Sequence, residues 1–185
     1  MKIIETELPG VLVIEPDWYP DERGFFMETY NATRYAEAKL DHVFVQDNHS
    51  QSTRGVIRGL HYQLNRPQGK FVYVARGEIF DVAVDIRQGS PTFGRWTGMR
   101  LSAKNKKQFF IPEGFAHGFS VLSDVADVLY KCTDIFQPDD AYGILFSDLQ
   151  IGIDWQVENP CLSEKDAILK NLQDTPPEML PVFKI

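Results

Sequence analysis

The stretch FVYVARGEIFDVAVDI, residues 71–86, constrains the fold more than any other part of the chain. Val, Ile, Phe and Tyr dominate it, and such side chains fit a pleated, half-buried surface. Gly77 breaks the run and supplies a positive φ at little steric cost. The pattern predicts two strands joined as a hairpin at Arg76–Gly77. Other short apolar runs keep the same rhythm: GVLVIEP, GFFMETY after the turn-like PDERG, RWTGMRLS, KQFFIP, AHGFSVLS and ADVLYKCTDIF. HVFVQDNHS reads as a strand that passes into a loop, and QGSP and IPEGF mark turns. Many short strands with frequent turns predict an all-β sandwich or barrel. Short helices are expected at 31–40, with Asn31 as N-cap, and at 163–172. From Asp174 the Pro-rich DTPPEMLPVFKI predicts an irregular surface tail over 174–185.

The chain has 185 residues, no internal repeat and no linker-like stretch, so one domain over 1–185 is expected. With 43% hydrophobic and 24% charged residues it has the makings of a globular core. Its net charge of −7 disfavours nucleic acid as a partner, although a few focused cations can still hold a small anion. No segment approaches the ~18 apolar residues that a membrane span needs. The N-terminal MKIIETELPG lacks a signal-peptide pattern, and we read the protein as cytoplasmic. Two cysteines, Cys132 and Cys161, do not make a disulfide framework, and no zinc spacing is present.

VIRGLHYQLNRPQGK, residues 56–70, carries three groups a purely structural strand does not need: Arg58, His61 and Lys70. A lone strand histidine is usually satisfied by a carbonyl. His61 lacks the His-x-His pairing of a metal site, and adding His117 from IPEGFAHGF still leaves a weak ligand set. A neutral imidazole acting as general base is the alternative. Arg58 and His61 are three apart, which on a regular strand sends them to opposite faces. Either Gly59 marks a bulge that re-aims one of them, or Arg58 serves another surface such as a subunit contact. Asp166 in LSEKDAIL has, by itself, the spacing of a helix cap with Ser163. Tyr130 reads as a half-buried strand aromatic, with Lys131 pointing the other way.

The blocks DERGFFMETY, FVQDNHS, VIRGLHYQ, QGKFVYVARGEIFDVAVDIR, SPTFGRW, FFIPEGFAHGF, YKCTDIF and LSEKD run in this order from Asp21 to Asp166. Together they resemble the dTDP-4-dehydrorhamnose 3,5-epimerase family. The resemblance implies a cupin-type jelly-roll barrel with a few short helices, a homodimer, and no metal or organic cofactor. It also implies a dTDP-sugar substrate, with epimerisation at carbons 3 and 5 of dTDP-4-dehydro-6-deoxy-D-glucose on the route to dTDP-L-rhamnose. It gives His61 the role of base, Asp166 its carboxylate partner, Tyr130 the proton donor and Lys70 a place near the keto oxygen. Arg23, Glu28, Gln46, Asn48, Arg58, His117 and Lys165 match substrate-binding positions. Phe26 and Phe136 match aromatic positions near the nucleotide, with Phe136 suited to stacking on thymine. Ala141 departs from the glutamate common at its position, leaving Asp139 or Asp140 to replace that contact. Two other readings stay open: an enzyme inverting a single carbon of a related sugar, and a nucleotide-sugar-binding cupin without catalysis.

Overall fold

The computed structural model describes residues 1–183. Thirteen strands and two short helices follow one another as β1 Lys2–Glu5, β2 Leu12–Glu15, β3 Trp18–Asp21, β4 Gly24–Met27, α1 Ala32–Glu37, β5 Gln46–Thr53, β6 Ile57–Gln63, β7 Lys70–Arg76, β8 Glu78–Asp85, β9 Trp96–Ser102, β10 Gln108–Ile111, β11 Phe115–Val121, β12 Val125–Cys132, β13 Ala141–Gly143 and α2 Glu164–Ala167. One antiparallel sheet has the order β1-β2-β10-β7-β12-β5, and a second has β13-β6-β11-β8-β9. Strands β3 and β4 form a separate hairpin. The architecture is the expected cupin-type jelly roll.

Period-2 alternation explains how the layers are held. Inward residues of the first sheet (Val13, Val72, Val74, Phe109, Val128) pack on inward residues of the second (Ile79, Ala83, Leu101, Phe115, Phe119). Outward residues of the second sheet, such as Phe80, Val82 and Val84, are covered by Ile151, Trp155, Leu172 and Leu180 of the C-terminal segment. Outward Phe71 and Phe110 of the first sheet are covered by Tyr35 on α1 and by Leu40. Strands buried on both faces read as continuous apolar runs, as 71–86 does. Each fully buried Phe contributes roughly 1.5–3 kcal/mol.

The hairpin expected at Gly77 is not formed. Strand β7 pairs with β10 and β12, whereas β8 pairs with β9 and β11, so the chain crosses between the sheets at Gly77. Gly77 has φ +78°, and a Cβ there would sit 2.1 Å from the Val125 carbonyl oxygen. The glycine is needed, but for a corner. Alternation is blind to the difference, because a strand pattern says which way side chains face and not which neighbour accepts the backbone bonds.

Other expectations shift too. The strand expected at the start of HVFVQDNHS begins only at Gln46 and runs on to Thr53, where a loop was expected. The helix at 163–172 shrinks to Glu164–Ala167, capped by Ser163, which accepts the Asp166 N–H. The helix at 31–40 forms over Ala32–Glu37, with Asn31 capping Arg34. The tail is anchored to the body of the protein: Leu180 is buried, Tyr62 donates to the Met179 carbonyl at 2.9 Å, and Phe183 N–H donates to the Gln88 carbonyl at 2.9 Å. The last two residues of the expected tail, 184–185, lie outside the described residues. Among the described residues, no helix is long and apolar enough to cross a membrane.

Candidate active site

The two sheets part around a cavity of about 1050 Å³, on the side where β5 ends one sheet and β13 the other. That volume suits a nucleotide-sized ligand. Ten of the residues singled out from the sequence line it: Gln46, Asn48, Arg58, His61, Lys70, His117, Tyr130, Phe136, Lys165 and Asp166.

The parity problem at Arg58 and His61 resolves at Gly59. Its φ is +118°, and the β6–β11 ladder shifts register between His117 and Phe119. Ile57 and Leu60, also three apart, both face the outer core, so the alternation changes phase between them. Arg58 and His61 therefore reach one cavity from one strand. A Cβ on Gly59 would lie 2.6 Å from both Gly118 Cα and the His117 carbonyl oxygen. Only glycine permits this approach of two backbones.

His61 Nε2–H donates to Asp166 Oδ1 at 2.6 Å. The carboxylate is buried while the imidazole is half exposed to the cavity. Burial pushes the Asp166 carboxyl upward, but the hydrogen bond and charge of His61, the Ser163 hydroxyl and the Gly59 N–H outweigh it and hold the group below the usual carboxylate range. An ionised Asp166 fixes the ring's tautomer and leaves the second ring nitrogen as a base. Both local readings of Asp166 hold at once: its backbone N–H is capped by Ser163 and its side chain serves His61.

Tyr130 approaches from the other sheet, on β12. Burial raises its phenol above the ordinary value, the nearby Cys132 adds to this and the Arg58 charge works against it. Lys70 starts β7, opposite Cys132 in register, and is only 8% exposed. Desolvation pushes its ammonium below the ordinary lysine value, partly offset by Cys132, Asp81 and Glu113. An amine so placed is a strong electrostatic partner for a negative oxygen, because little solvent screens it.

Three residues had drawn no attention in the sequence: Asp81, Cys132 as a cavity wall, and Ser50. Asp81 is fully buried, and His117 Nε2–H donates to its two oxygens at 2.9 and 3.1 Å. Burial pushes its carboxyl up against the pull of His117 and Lys70. A signal for it existed: an aspartate at an inward position of the apolar run IFDVAV must find a partner inside the protein. Both histidines thus commit one ring nitrogen to a carboxylate. Among the described residues, no group of three or more His, Cys, Asp or Glu could hold a metal ion.

Arg23, Phe26 and Glu28 stand apart from the cavity of their own chain. Arg23 donates to Asp21 within the β3–β4 hairpin, Phe26 is 69% exposed beside it, and Glu28 accepts from Asn31 and Arg34. Asp140 does not replace the missing glutamate at Ala141. Its oxygens accept from the Asn65 and Arg66 backbone N–H groups and from Asn65 Nδ2 at 2.8–3.0 Å, clamping the loop after β6.

A family model described as dTDP-4-dehydrorhamnose 3,5-epimerase matches residues 5–174. The chain is 58% identical over 168 residues to a dTDP-4-dehydrorhamnose 3,5-epimerase of Shigella flexneri, covering 90% of this chain and 93% of that one. It is 54% identical over 178 residues to the protein of that name in Methanothermobacter thermautotrophicus, covering 95% and 96%. A crystal structure of the dTDP-6-deoxy-D-glucose-3,5-epimerase of Legionella pneumophila, in complex with dTDP-4-keto-L-rhamnose, superposes with a TM-score of 0.97 at 53% identity and covers 100% of this chain and 99% of that one.

Proposed function

Because the chain belongs to the dTDP-4-dehydrorhamnose 3,5-epimerase family, we propose that its cavity epimerises dTDP-4-dehydro-6-deoxy-D-glucose at carbons 3 and 5, giving dTDP-4-dehydro-L-rhamnose. The observation that carries this reading is the opposition of His61 on one sheet and Tyr130 on the other across a single cavity. Inverting a carbon needs a proton removed from one face and returned to the other. The C4 ketone acidifies the hydrogens on C3 and C5. His61 takes one of them as its lone-pair nitrogen becomes N–H, and Asp166 stabilises the imidazolium. The electron pair moves onto the keto oxygen, and the Lys70 ammonium offsets that charge. Tyr130 then gives its phenolic proton to the opposite face of the carbanion, and the enolate returns to the ketone. Solvent restores both groups before the second centre reacts. Side chains supply every proton and charge in this sequence.

The ends of the substrate follow from charge and shape. Arg58 and Lys165 offer cations to the diphosphate. Phe136, half exposed at the rim, offers a face for thymine, and its backbone N–H donates to Gln46 Oε1 at 2.8 Å. We infer a homodimer as well. The β3–β4 hairpin exposes Tyr19, Phe25 and Phe26 at 60%, 56% and 69%, and β5 is an unpaired sheet edge. A second copy whose hairpin lay along this edge would bring its Arg23, Phe26 and Glu28 to the cavity.

Two variants incubated with substrate in deuterium oxide test the assignment. His61→Ala should abolish both inversion and exchange. Tyr130→Phe keeps the ring packing, so deuterium should enter without net inversion at one carbon or more. Full epimerisation at the parent rate in Tyr130→Phe would make Tyr130 a core aromatic and move the donor elsewhere.

A further inference from the structure

The C-terminal segment is fastened at both ends and faces the cavity in between. At its start Leu172 is buried, and its N–H donates to Asp148 Oδ2 at 2.7 Å. Near its end Gln88, in the loop between β8 and β9, meets four of its backbone groups. Gln88 N–H donates to the Pro181 carbonyl at 2.8 Å, and Phe183 N–H donates to the Gln88 carbonyl at 2.9 Å. Gln88 Nε2 donates to the Pro177 and Leu180 carbonyls at 2.7 and 3.0 Å. Beside it the Arg87 guanidinium lies 4.3 Å from the Phe115 ring centroid and 4.9 Å from that of Phe183. Buried Asp85 holds Arg87 in place, accepting from its Nε at 2.8 Å and its Nη2 at 2.7 Å.

Between the two fastenings Thr175, Pro176 and Met179 line the cavity. Tyr62, on β6 beside His61, donates to the Met179 carbonyl at 2.9 Å. Leu180 is the only apolar side chain buried over 173–183. A segment held by polar bonds and one apolar plug opens at lower free energy than core strands do. Pro176, Pro177 and Pro181 stiffen it, so it lifts as a unit. The junction of Gln88 with Phe183 lies outside the cavity lining.

We propose that residues 173–183 form a strap whose docking on Gln88 and Arg87 is coupled to occupancy of the cavity. A bound dTDP-sugar holds the strap down, and the docked strap in turn retains the dTDP-sugar, because such coupling is reciprocal. The proposal rests on the reading of the cavity as a dTDP-sugar site.

Amide hydrogen exchange of the full chain, followed by NMR with and without the unreactive dTDP-glucose, tests it. The Gln88 and Phe183 N–H groups exchange only when the strap lifts, and a ligand in the cavity cannot shield them directly. At 100 times Kd, dTDP-glucose should slow both about a hundredfold. The Lys106 N–H, bonded to the Ser102 carbonyl in the turn after β9, should not change. Gln88→Ala removes two bonds to the strap and should speed Phe183 exchange roughly ten- to a hundredfold. Phe183→Ala removes the ring against Arg87 and should speed exchange at Gln88, which serves if Gln88→Ala fails to fold. Bound dTDP-glucose that left the Gln88 and Phe183 amides unchanged, or slowed Lys106 equally, would overturn the coupling. Unchanged exchange in both variants would overturn the fastening. If calorimetry showed that the parent protein does not bind dTDP-glucose, the reading of the cavity would fail instead, and that failure is visible before any exchange is measured.

Discussion

At the scale of single residues, the site works by desolvation. Lys70 and Tyr130 are both pushed by burial toward their uncharged forms, but with opposite consequences. In the proposed mechanism Lys70 must be charged to steady the enolate, and burial holds its pKa below the ordinary 10.5, with Cys132, Asp81 and Glu113 facing it. Tyr130, the proposed donor, must be protonated, and its pKa lies above the ordinary 10.0, beside Cys132 and Arg58. Desolvation moves the Lys70 titration down in pH and the Tyr130 titration up. The alkaline fall of kcat should thus follow Lys70. In Lys70→Arg the cation no longer titrates in this range, so whatever activity survives should keep its rate to higher pH. A kcat–pH profile with the same alkaline midpoint in both proteins would assign that limb to another group. Asp166→Asn leaves His61, the proposed base, in place but withdraws the negative charge that would stabilise its imidazolium. A loss of about 10²–10⁴ in kcat is expected, short of the complete loss in His61→Ala.

At the scale of elements, the bulge at Gly59 aligns the site. It lets one strand send both Arg58 and His61 inward while Ile57 and Leu60 go outward. Gly59→Ala would force a Cβ within 2.6 Å of the Gly118 and His117 backbone, at a φ of +118°. We expect destabilisation of at least ~2 kcal/mol, measured by denaturant unfolding, together with loss of activity. Wild-type stability in this variant would show the two strands to be freer than the ladder implies. Much of this element was legible beforehand, because the three-residue spacing of Arg58 and His61 with glycine between them raises the parity question by itself. The corner at Gly77 was not legible, since period 2 reports facing and not pairing. The pairing of Asp166 with His61 was legible only through the family resemblance, because the capping geometry is local and the bond to His61 spans 105 residues. The polar face of β5 was hidden by the apolar residues before it: Val43, Phe44 and Val45 read as strand, yet the ladder starts at Gln46. Asp81 was missed, although a lone charge in an apolar run demands a partner and so carries a signal.

At the scale of the whole molecule, an apolar sandwich supports a polar cavity at one side, and the β3–β4 hairpin, apart from that cavity, exposes its aromatics to solvent. If a second copy completes the site, single substitutions on different copies should complement. Arg23→Ala and His61→Ala proteins, each weakly active or inactive, should regain activity when co-expressed, because some mixed dimers then contain one intact site. Light scattering at micromolar concentration should report twice the chain mass, and a one-chain species alone would remove the dimer from the account. In the proposed reaction this one cavity exchanges protons at both carbons flanking the ketone. Proton NMR of dTDP-4-dehydro-6-deoxy-D-glucose in deuterium oxide with the unsubstituted enzyme tests it most directly. The C3 and C5 proton signals should both disappear as the L-lyxo product forms. Loss of only one signal, or product formed with neither exchanged, would contradict it.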